Sequence, residues 1–243
     1  MTARVALVTG AAQGIGAAVV RVLRRDGWQV AATDRVRPAE PSSLELDVRD
    51  TTAVERVVRH VEDRIGPIAL LVNVAGVLHV GDLVTTTDEQ WREVFEVNTT
   101  GVFRLCRSVG ALMAGRGGGS IITVASNAAG VPRMGMAAYA ASKAASAHLT
   151  RCLGLELAGH GVRCNVVSPG STDTPMQRGM WHGPEDARRT VDGRPELFKT
   201  GIPLGRIADP GDVAEAVAFL ASDRARHITM HDLYVDGGAA LHV

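Results

Sequence analysis

Seven short apolar runs punctuate the chain: "RVALVTG", "WQVAATD", "SLELDV", "IALLVNVAG", "GSIITVAS", "GVRCNVVSPG" and "HDLYVDGG". Each is bounded by turn-forming residues, and most are apolar at successive positions, which predicts strands buried on both faces. Helical patterns fill the intervals, over about 14–26, 51–64, 88–115, 137–159 and 210–222. Strand–helix alternation predicts a parallel sheet covered on both faces, and right-handed crossovers make it doubly wound. The expectation is one α/β domain over residues 1–243, a Rossmann-type sheet of about seven strands. Residues 171–205 interrupt the rhythm with "STDTPMQRGMWHGPEDARRT", where short helical hints stand among Pro and Gly. So long a break within a compact domain reads as a substrate lid. The "RGGGS" at 116–120 reads as a flexible turn, because no helix follows it to hold a phosphate.

Composition changes this picture little but narrows the partners. Apolar residues make up 46% and charged residues 21%, and 26 basic residues balance 26 acidic ones. A net charge of zero points away from nucleic acid or an anionic membrane as the main partner. No apolar stretch reaches the ~20 residues that span a bilayer, and "MTARVALVTG" lacks a signal-peptide pattern. Cys106, Cys152 and Cys164 are odd in number and without CxxC spacing, so a reduced, cytoplasmic protein is expected. His227 and His231 are four apart, a metal-binding spacing on a helix. Here they fall in a run that reads as a loop entering a strand, so no metal site is expected.

Two stretches carry chemistry. "VTGAAQGIG" follows the first strand and opens the first helix, placing Gly10, Gly14 and Gly16 where a backbone turns tightly against a pyrophosphate. Asp34, roughly 20 residues on at the end of the second strand, can bind adenosine ribose hydroxyls and would repel a 2′-phosphate. NAD is therefore expected over NADP, with Arg35 arguing mildly the other way. The second stretch is "SNAAGVPRMGMAAYAASK". Tyr139 and Lys143 are i and i+4 on one helix face, and Ser126 ends the preceding strand at the edge where such sheets bind ligands. A free tyrosine has a pKa of about 10, and an ammonium beside it favours the phenolate a proton acceptor needs. Ser126 can donate to an oxygen whose charge changes in the reaction. The surrounding Ala137, Ala138, Ala140, Ala141, Ala144 and Ala145 are expected to let this helix approach its neighbours closely.

The spacing of these motifs resembles the short-chain dehydrogenase/reductase family. Its TGxxxGIG appears as Thr9 to Gly16, its Asp-Val pair as Asp47-Val48, and its NNAG as Asn73 to Gly76, with Val74 replacing the second Asn. Its catalytic Asn stands in "VNTTG" as Asn98, and "SPG" at 168–170 is followed by Thr172. Thirteen positions separate Ser126 from Tyr139, as in the family's Ser–Tyr–Lys set. The resemblance implies a nicotinamide cofactor held by Gly10, Gln13, Gly14, Ile15, Gly16, Asp34, Asp47, Val48, Asn73, Ala75, Gly76, Tyr139, Lys143, Pro169 and Thr172. It implies catalysis by Asn98, Ser126, Tyr139 and Lys143, with Asn98 securing a water chain from Lys143 to solvent. It also implies a homotetramer assembled through the helices at 88–115 and 137–159.

Three longer stretches, including "TVASNAAGVPRMGMAAYAASKAA" and much of the lid, resemble members that oxidise the C3 alcohol of a cyclohexadiene carboxylate with NAD⁺. The substrate this implies is 2,3-dihydro-2,3-dihydroxybenzoate, a precursor in catechol siderophore synthesis. The close alternative is trans-2,3-dihydro-3-hydroxyanthranilate, with an amine at C2. Asn127, Gly130 and His79 stand where those members have aspartate, histidine and arginine. Asp34 disfavours an NADPH-using ketoacyl carrier-protein reductase, and the intact Ser–Tyr–Lys set disfavours a non-catalytic NAD-binding regulator. Arg133 or Arg178 is expected to pair with the substrate carboxylate, beside Ser126, Met134, Tyr139 and Gln177, with Trp181 closing over the ring or anchoring the lid.

Overall fold

The computed structural model describes residues 4–37 and 43–241; the first three residues of the N-terminal run discussed above lie outside them. All seven expected strands form: β1 (Val5–Thr9), β2 (Gln29–Asp34), β3 (Leu44–Glu45), β4 (Ile68–Asn73), β5 (Gly119–Val124), β6 (Val162–Pro169) and β7 (Asp232–Val235). They pair in parallel in the order β3-β2-β1-β4-β5-β6-β7. The winding direction reverses between β1 and β4, opening a crevice beyond the carboxyl ends of those strands. Residues 227–231 form a loop leading into β7, so the two histidines do not share a helix face.

Among the described residues eight α-helices form: α1 (Gly14–Arg25), α2 (Thr51–Arg64), α3 (Asp88–Phe95), α4 (Val102–Arg116), α5 (Ala137–Leu157), α6 (Pro175–Arg178), α7 (Glu185–Asp192) and α8 (Pro210–Ala221), with α6 and α7 inside the 171–205 segment. Their starts follow from local chemistry. Asp50 accepts from Ala53 N at the head of α2, and Thr87 with Gln90 forms a capping box on α3. Asp209 caps α8, which has Pro210 in its first turn. Alternate residues of each strand face opposite cores. Ala6 and Val8 pack with α1 and α8, whereas Val5 and Leu7 pack with α2 and α4.

Two features depart from the sequence reading. The helix expected over 88–115 is broken into α3 and α4 by a π-helical turn, Glu96–Gly101. A wider turn there brings Val48 so close that a Cβ on Gly101 would meet Val48 Cγ2 at 2.6 Å. Secondly, the close-packed face of α5 is made less by alanines than by hydroxyls. Of the six alanines only Ala138 is buried, while Ser142, Ser146 and Thr150 are fully so. Each hydroxyl bonds a carbonyl of its own helix, and Thr150 also reaches Thr123 Oγ1 at 2.8 Å. A short side chain that satisfies its own polar atom can pack against a sheet as closely as alanine does.

The glycine turn after β1 admits no side chain at Gly16, whose Cβ would lie 2.0 Å from Gly10 O. Gly16→Ala is expected to destabilise the fold by about 1–3 kcal/mol or more, since a backbone must move. Gly115→Ala, on a helix with nothing within 4 Å, should gain up to about 1 kcal/mol. Urea unfolding of both variants checks the pair; equal effects would mean that the turn can open.

Candidate active site

A cleft of about 500 Å³ runs along the carboxyl ends of β1, β2, β4, β5 and β6. At one end the turn between β1 and α1 is left-handed at Gly10 and Gly14. Gln13 gives α1 no side-chain cap and its first turn holds no acid, so its positive end is open to an anion. Thr9 Oγ1 accepts from Val74 N at 3.1 Å and Ala75 N at 3.2 Å, locking the "NVAG" turn beside it. That turn therefore survives the exchange of its second Asn for Val74. Ala12 N donates to Asp34 Oδ2 at 3.0 Å, tying the acid at the end of β2 to the glycine turn. Asp47 also faces this end, but its carboxylate is held by Arg49 at 2.7 Å, which keeps its pKa below the usual range.

Fourteen of the fifteen residues expected along a dinucleotide line the cleft: Gly10, Gln13, Gly14, Ile15, Gly16, Asp34, Asp47, Val48, Ala75, Gly76, Tyr139, Lys143, Pro169 and Thr172. Asn73 does not. It is buried behind the wall, where Nδ2 donates to Thr123 Oγ1 at 3.3 Å and Cys106 Sγ at 3.4 Å. It ends β4 inside the sheet, one residue too early to reach the crevice.

In the middle of the cleft Ser126, Tyr139 and Lys143 converge. Ser126 follows β5 and caps the short turn Asn127–Ala129 by accepting from Ala128 N. Lys143 is 5% exposed; its Nζ donates to Val124 O at 2.9 Å and lies 5.9 Å from the centroid of the Tyr139 ring. Burial pushes Lys143 down to about 8. Burial also raises Tyr139 above its ordinary value, with the nearby Ser126 hydroxyl opposing the shift. The sequence reading had Lys143 lowering the tyrosine. In the protein alone desolvation of the phenolate outweighs the ammonium, which is directed at a carbonyl.

Asn98 lies at 1% exposure within the π turn and does not line the cleft. Its Nδ2 donates to Val77 O and Ser142 Oγ, and its Oδ1 accepts from Val77 N. It thereby clamps the loop after β4 to α5. A Cβ on Gly76 would come within 3.2 Å of Asn98 Oδ1 and 3.3 Å of Lys143 Nζ, so the three groups are packed together.

The far end of the cleft is built by residues from 171–205, among them Gln177, Met180, Trp181 and Ile202. Gln177 and Arg133 line it as expected, but two candidates do not. Met134 is exposed outside the cleft. Arg178 is turned to Asp173, which accepts from Nε at 2.6 Å and Nη2 at 2.8 Å. Asp173 stands five residues earlier, just ahead of the short helix α6, and holds the guanidinium there. The sequence reading missed Lys199 and Arg194, which do line it. Their only signal was a basic residue at each end of the tight "RPELFK" turn. Trp181 Nε1 is buried there with no hydrogen-bond partner among the described residues.

An open doubly wound sheet, a glycine turn on an uncapped helix and a buried Tyr–Lys pair at the crevice define a dinucleotide-dependent oxidoreductase. The chain belongs to the short-chain dehydrogenase/reductase family: a family model described as enoyl-(acyl carrier protein) reductase matches residues 10–240. It is 50% identical to the 2,3-dihydro-2,3-dihydroxybenzoate dehydrogenase of Bacillus subtilis (strain 168), covering 99% of this chain and 97% of that one. It is 45% identical to the protein of the same name from Escherichia coli (strain K12), covering 96% of each. Ligand-free aldohexose dehydrogenase of Thermoplasma acidophilum superimposes with a TM-score of 0.89 at 31% identity, covering 99% of this chain and 95% of that one. No helix among the described residues is long and apolar enough to cross a membrane.

The desolvated Lys143 gives a test free of any ligand. Its folded value of about 8 lies below the ordinary 10.5, so between these pH values the unfolded chain holds a proton that the folded chain has released. Stability then rises with pH across that window, by at most about 1.4 kcal/mol per unit. Subtracting the stability–pH curve of Lys143→Met from that of the wild type should show this rise. Parallel curves would mean that the ammonium is well solvated.

Proposed function

We propose that the protein is an NAD⁺-dependent dehydrogenase that oxidises the C3 hydroxyl of 2,3-dihydro-2,3-dihydroxybenzoate to give 2,3-dihydroxybenzoate. The observation that carries this reading is the joining of one cleft, holding Ser126, Tyr139 and Lys143 beside a glycine turn, to 45–50% identity with two dehydrogenases of that substrate. The cleft fits a nicotinamide dinucleotide: at Gly10 a Cβ would strike the Ala75 backbone at 2.7 Å, and α1 presents free amides to a pyrophosphate. Asp34 would take the adenosine ribose hydroxyls, Asp47 and Val48 the adenine, Tyr139 and Lys143 the second ribose, and Pro169 and Thr172 the carboxamide. Held there, an oxidised nicotinamide would supply the hydride acceptor.

Within that arrangement the chain moves one proton. Tyr139 removes the C3 hydroxyl proton as the C3–H bond breaks and its electron pair leaves as hydride. Ser126 donates to the oxygen while it becomes a carbonyl. Because burial disfavours the phenolate, the proton transfer depends on positive charge in the cleft; Lys143, still an ammonium at pH 7, supplies part of it. Asn98 positions Lys143 through α5 and secures its water link to solvent, acting through Ser142. Loss of the C2 hydrogen from the ketone restores an aromatic ring, which makes the oxidation effectively one-way. Residues 171–205 act as the lid over this site. The chain assembles as a homotetramer through α3, α4 and α5, on which Trp91, Phe103, Leu112 and Leu155 remain exposed.

Cofactor choice tests the first half of the reading. Asp34 repels a 2′-phosphate, so kcat/KM should favour NAD⁺ over NADP⁺ by tenfold or more, about 1.4 kcal/mol. Asp34→Ala should narrow that ratio; equal use of both cofactors by the wild type would overturn the assignment. Turnover tests the second half. The wild type should oxidise 2,3-dihydro-2,3-dihydroxybenzoate faster than its C2-amine counterpart, and Tyr139→Phe should lose roughly 10²–10⁴-fold in kcat while binding NAD⁺ within a few-fold. Brisk oxidation of simple secondary alcohols, with neither dihydro acid accepted, would sink the substrate.

A further inference from the structure

The cations around the substrate end of the cleft fall into two groups. Arg178 is paired with Asp173, Arg189 with Asp186 and Arg194 with Glu196. Arg133 and Lys199 are both half-buried and line the cleft, yet neither makes an ion pair or a side-chain hydrogen bond among the described residues. Their surroundings explain why they stay unpaired. The acid whose charge reaches Arg133 is Asp236, and its carboxylate already accepts from Gly238 N, Ala240 N and Asn127 Nδ2 at 2.9–3.1 Å. No acid offsets the burial of Lys199, whose charged neighbours are Arg133 and Arg194; burial first and then these two cations lower its pKa.

The backbone that delivers Lys199 is built for close placement. Arg194 and Lys199 exchange two backbone hydrogen bonds, of 2.9 and 3.1 Å, across a turn containing Pro195–Leu197. Left-handed Phe198 precedes Lys199. Gly193 and Gly201 close the turn from either side, and a Cβ on either would lie within 2.9 Å of the other's backbone nitrogen. Arg133 arrives from the opposite wall, in the turn before α5, where Met136 N bonds back to Arg133 O. Two like charges held half out of water without an anion are costly, and a ligand anion between them removes that cost.

We propose that Arg133 and Lys199 together form the carboxylate-recognition site of this cleft, one cation from the turn before α5 and one from the 193–201 turn. Arg133 offers a planar fork of N–H donors and Lys199 a point charge, so a single carboxylate can bridge them. Substrates of this cleft are then acids, and a neutral ring of the same shape is rejected because it leaves both cations unpaired. The proposal rests on the cyclic-acid reading above, and its test separates the two.

Benzoate and its neutral isostere benzamide would be titrated by calorimetry against the NAD⁺-saturated protein, wild type and variants, with NAD⁺ affinity recorded first to confirm folding. Wild type should bind benzoate more tightly. Lys199→Gln and Arg133→Gln should each weaken benzoate roughly 10- to 100-fold, as expected for a charge-assisted hydrogen bond, and leave benzamide unchanged. Lys199→Arg should recover most of the loss. No benzoate preference in the wild type, or an unchanged preference in Lys199→Gln, would overturn the proposal. Preference lost in Lys199→Gln, with no oxidation of the dihydro acid by the wild type, would uphold the anion site while removing the substrate assignment. Oxidation of the dihydro acid with a KM indifferent to Lys199→Gln would remove the anion site and keep the reaction.

Discussion

The buried ammonium of Lys143 is the constraint around which this chain is arranged. An ammonium in the interior is tolerable only if it is short of water but not of partners, and the fold supplies one at Val124 O, the last carbonyl of β5. For the lysine to reach that carbonyl α5 must lie close against the sheet. The hydroxyl face of α5 makes this possible, since Ser142, Ser146 and Thr150 spend their polarity on their own helix. The π turn at Glu96–Gly101 answers the same demand from the other side. It swings Asn98 into the gap between α5 and the loop after β4, where both side-chain amide atoms find partners. Gly76 keeps the remaining space free for the lysine tip. Function follows from this arrangement because a charge that is costly in the empty cleft can be used to stabilise a phenolate or a ligand oxygen.

Much of the molecule was legible in the sequence, for particular reasons. Strands such as "IALLVN" are apolar at nearly every position, so their burial on both faces needed no tertiary knowledge. The glycine turn was legible because Gly16 is required by its approach to Gly10 O within a single local segment. Residues at i and i+4 on a long helix, Tyr139 and Lys143, were placed together for the same reason. What failed depended on which way a side chain faces. Asn73 belongs to a motif that touches the crevice, yet it is the last residue of β4 and turns into the sheet. Arg178 looked available until Asp173, five residues earlier, took its Nε and Nη2. The π turn was illegible because its pattern of apolar residues is that of an ordinary helix, and Val48, which packs against its Gly101, lies about fifty residues away in sequence.

Electrostatics divides the cleft along its length. At the β2 end Asp34 is tied to the glycine turn and Asp47 is neutralised by Arg49. At the other end the balance is reversed, with two desolvated cations and an acid, Asp236, whose lone pairs are occupied. A chain of zero net charge thus keeps two cations without ion-pair partners among the described residues at one end of its cavity. Surface ion pairs do not do this, because water and salt screen them within about 10 Å. Partial burial does, and it is why the cations that matter here are those without partners.

This division bears on how substrate and cofactor could influence one another. Tyr139 is buried without a counter-charge sufficient to ionise it, and Lys143 is close to losing its own proton at mildly alkaline pH. An anion bound at Arg133 and Lys199 adds negative charge to the cavity, which opposes the phenolate and favours the protonated lysine. A cationic ring bound in the middle of the cleft acts in the opposite sense on Tyr139. The two effects meet at the tyrosine oxygen, so its acidity is set by what fills the cleft rather than by the protein alone. An acid substrate by itself would keep Tyr139 protonated and inert. Proton removal becomes favourable only when the positive partner is also present, which ties the chemistry to the complete complex and protects a reactive phenolate from forming early.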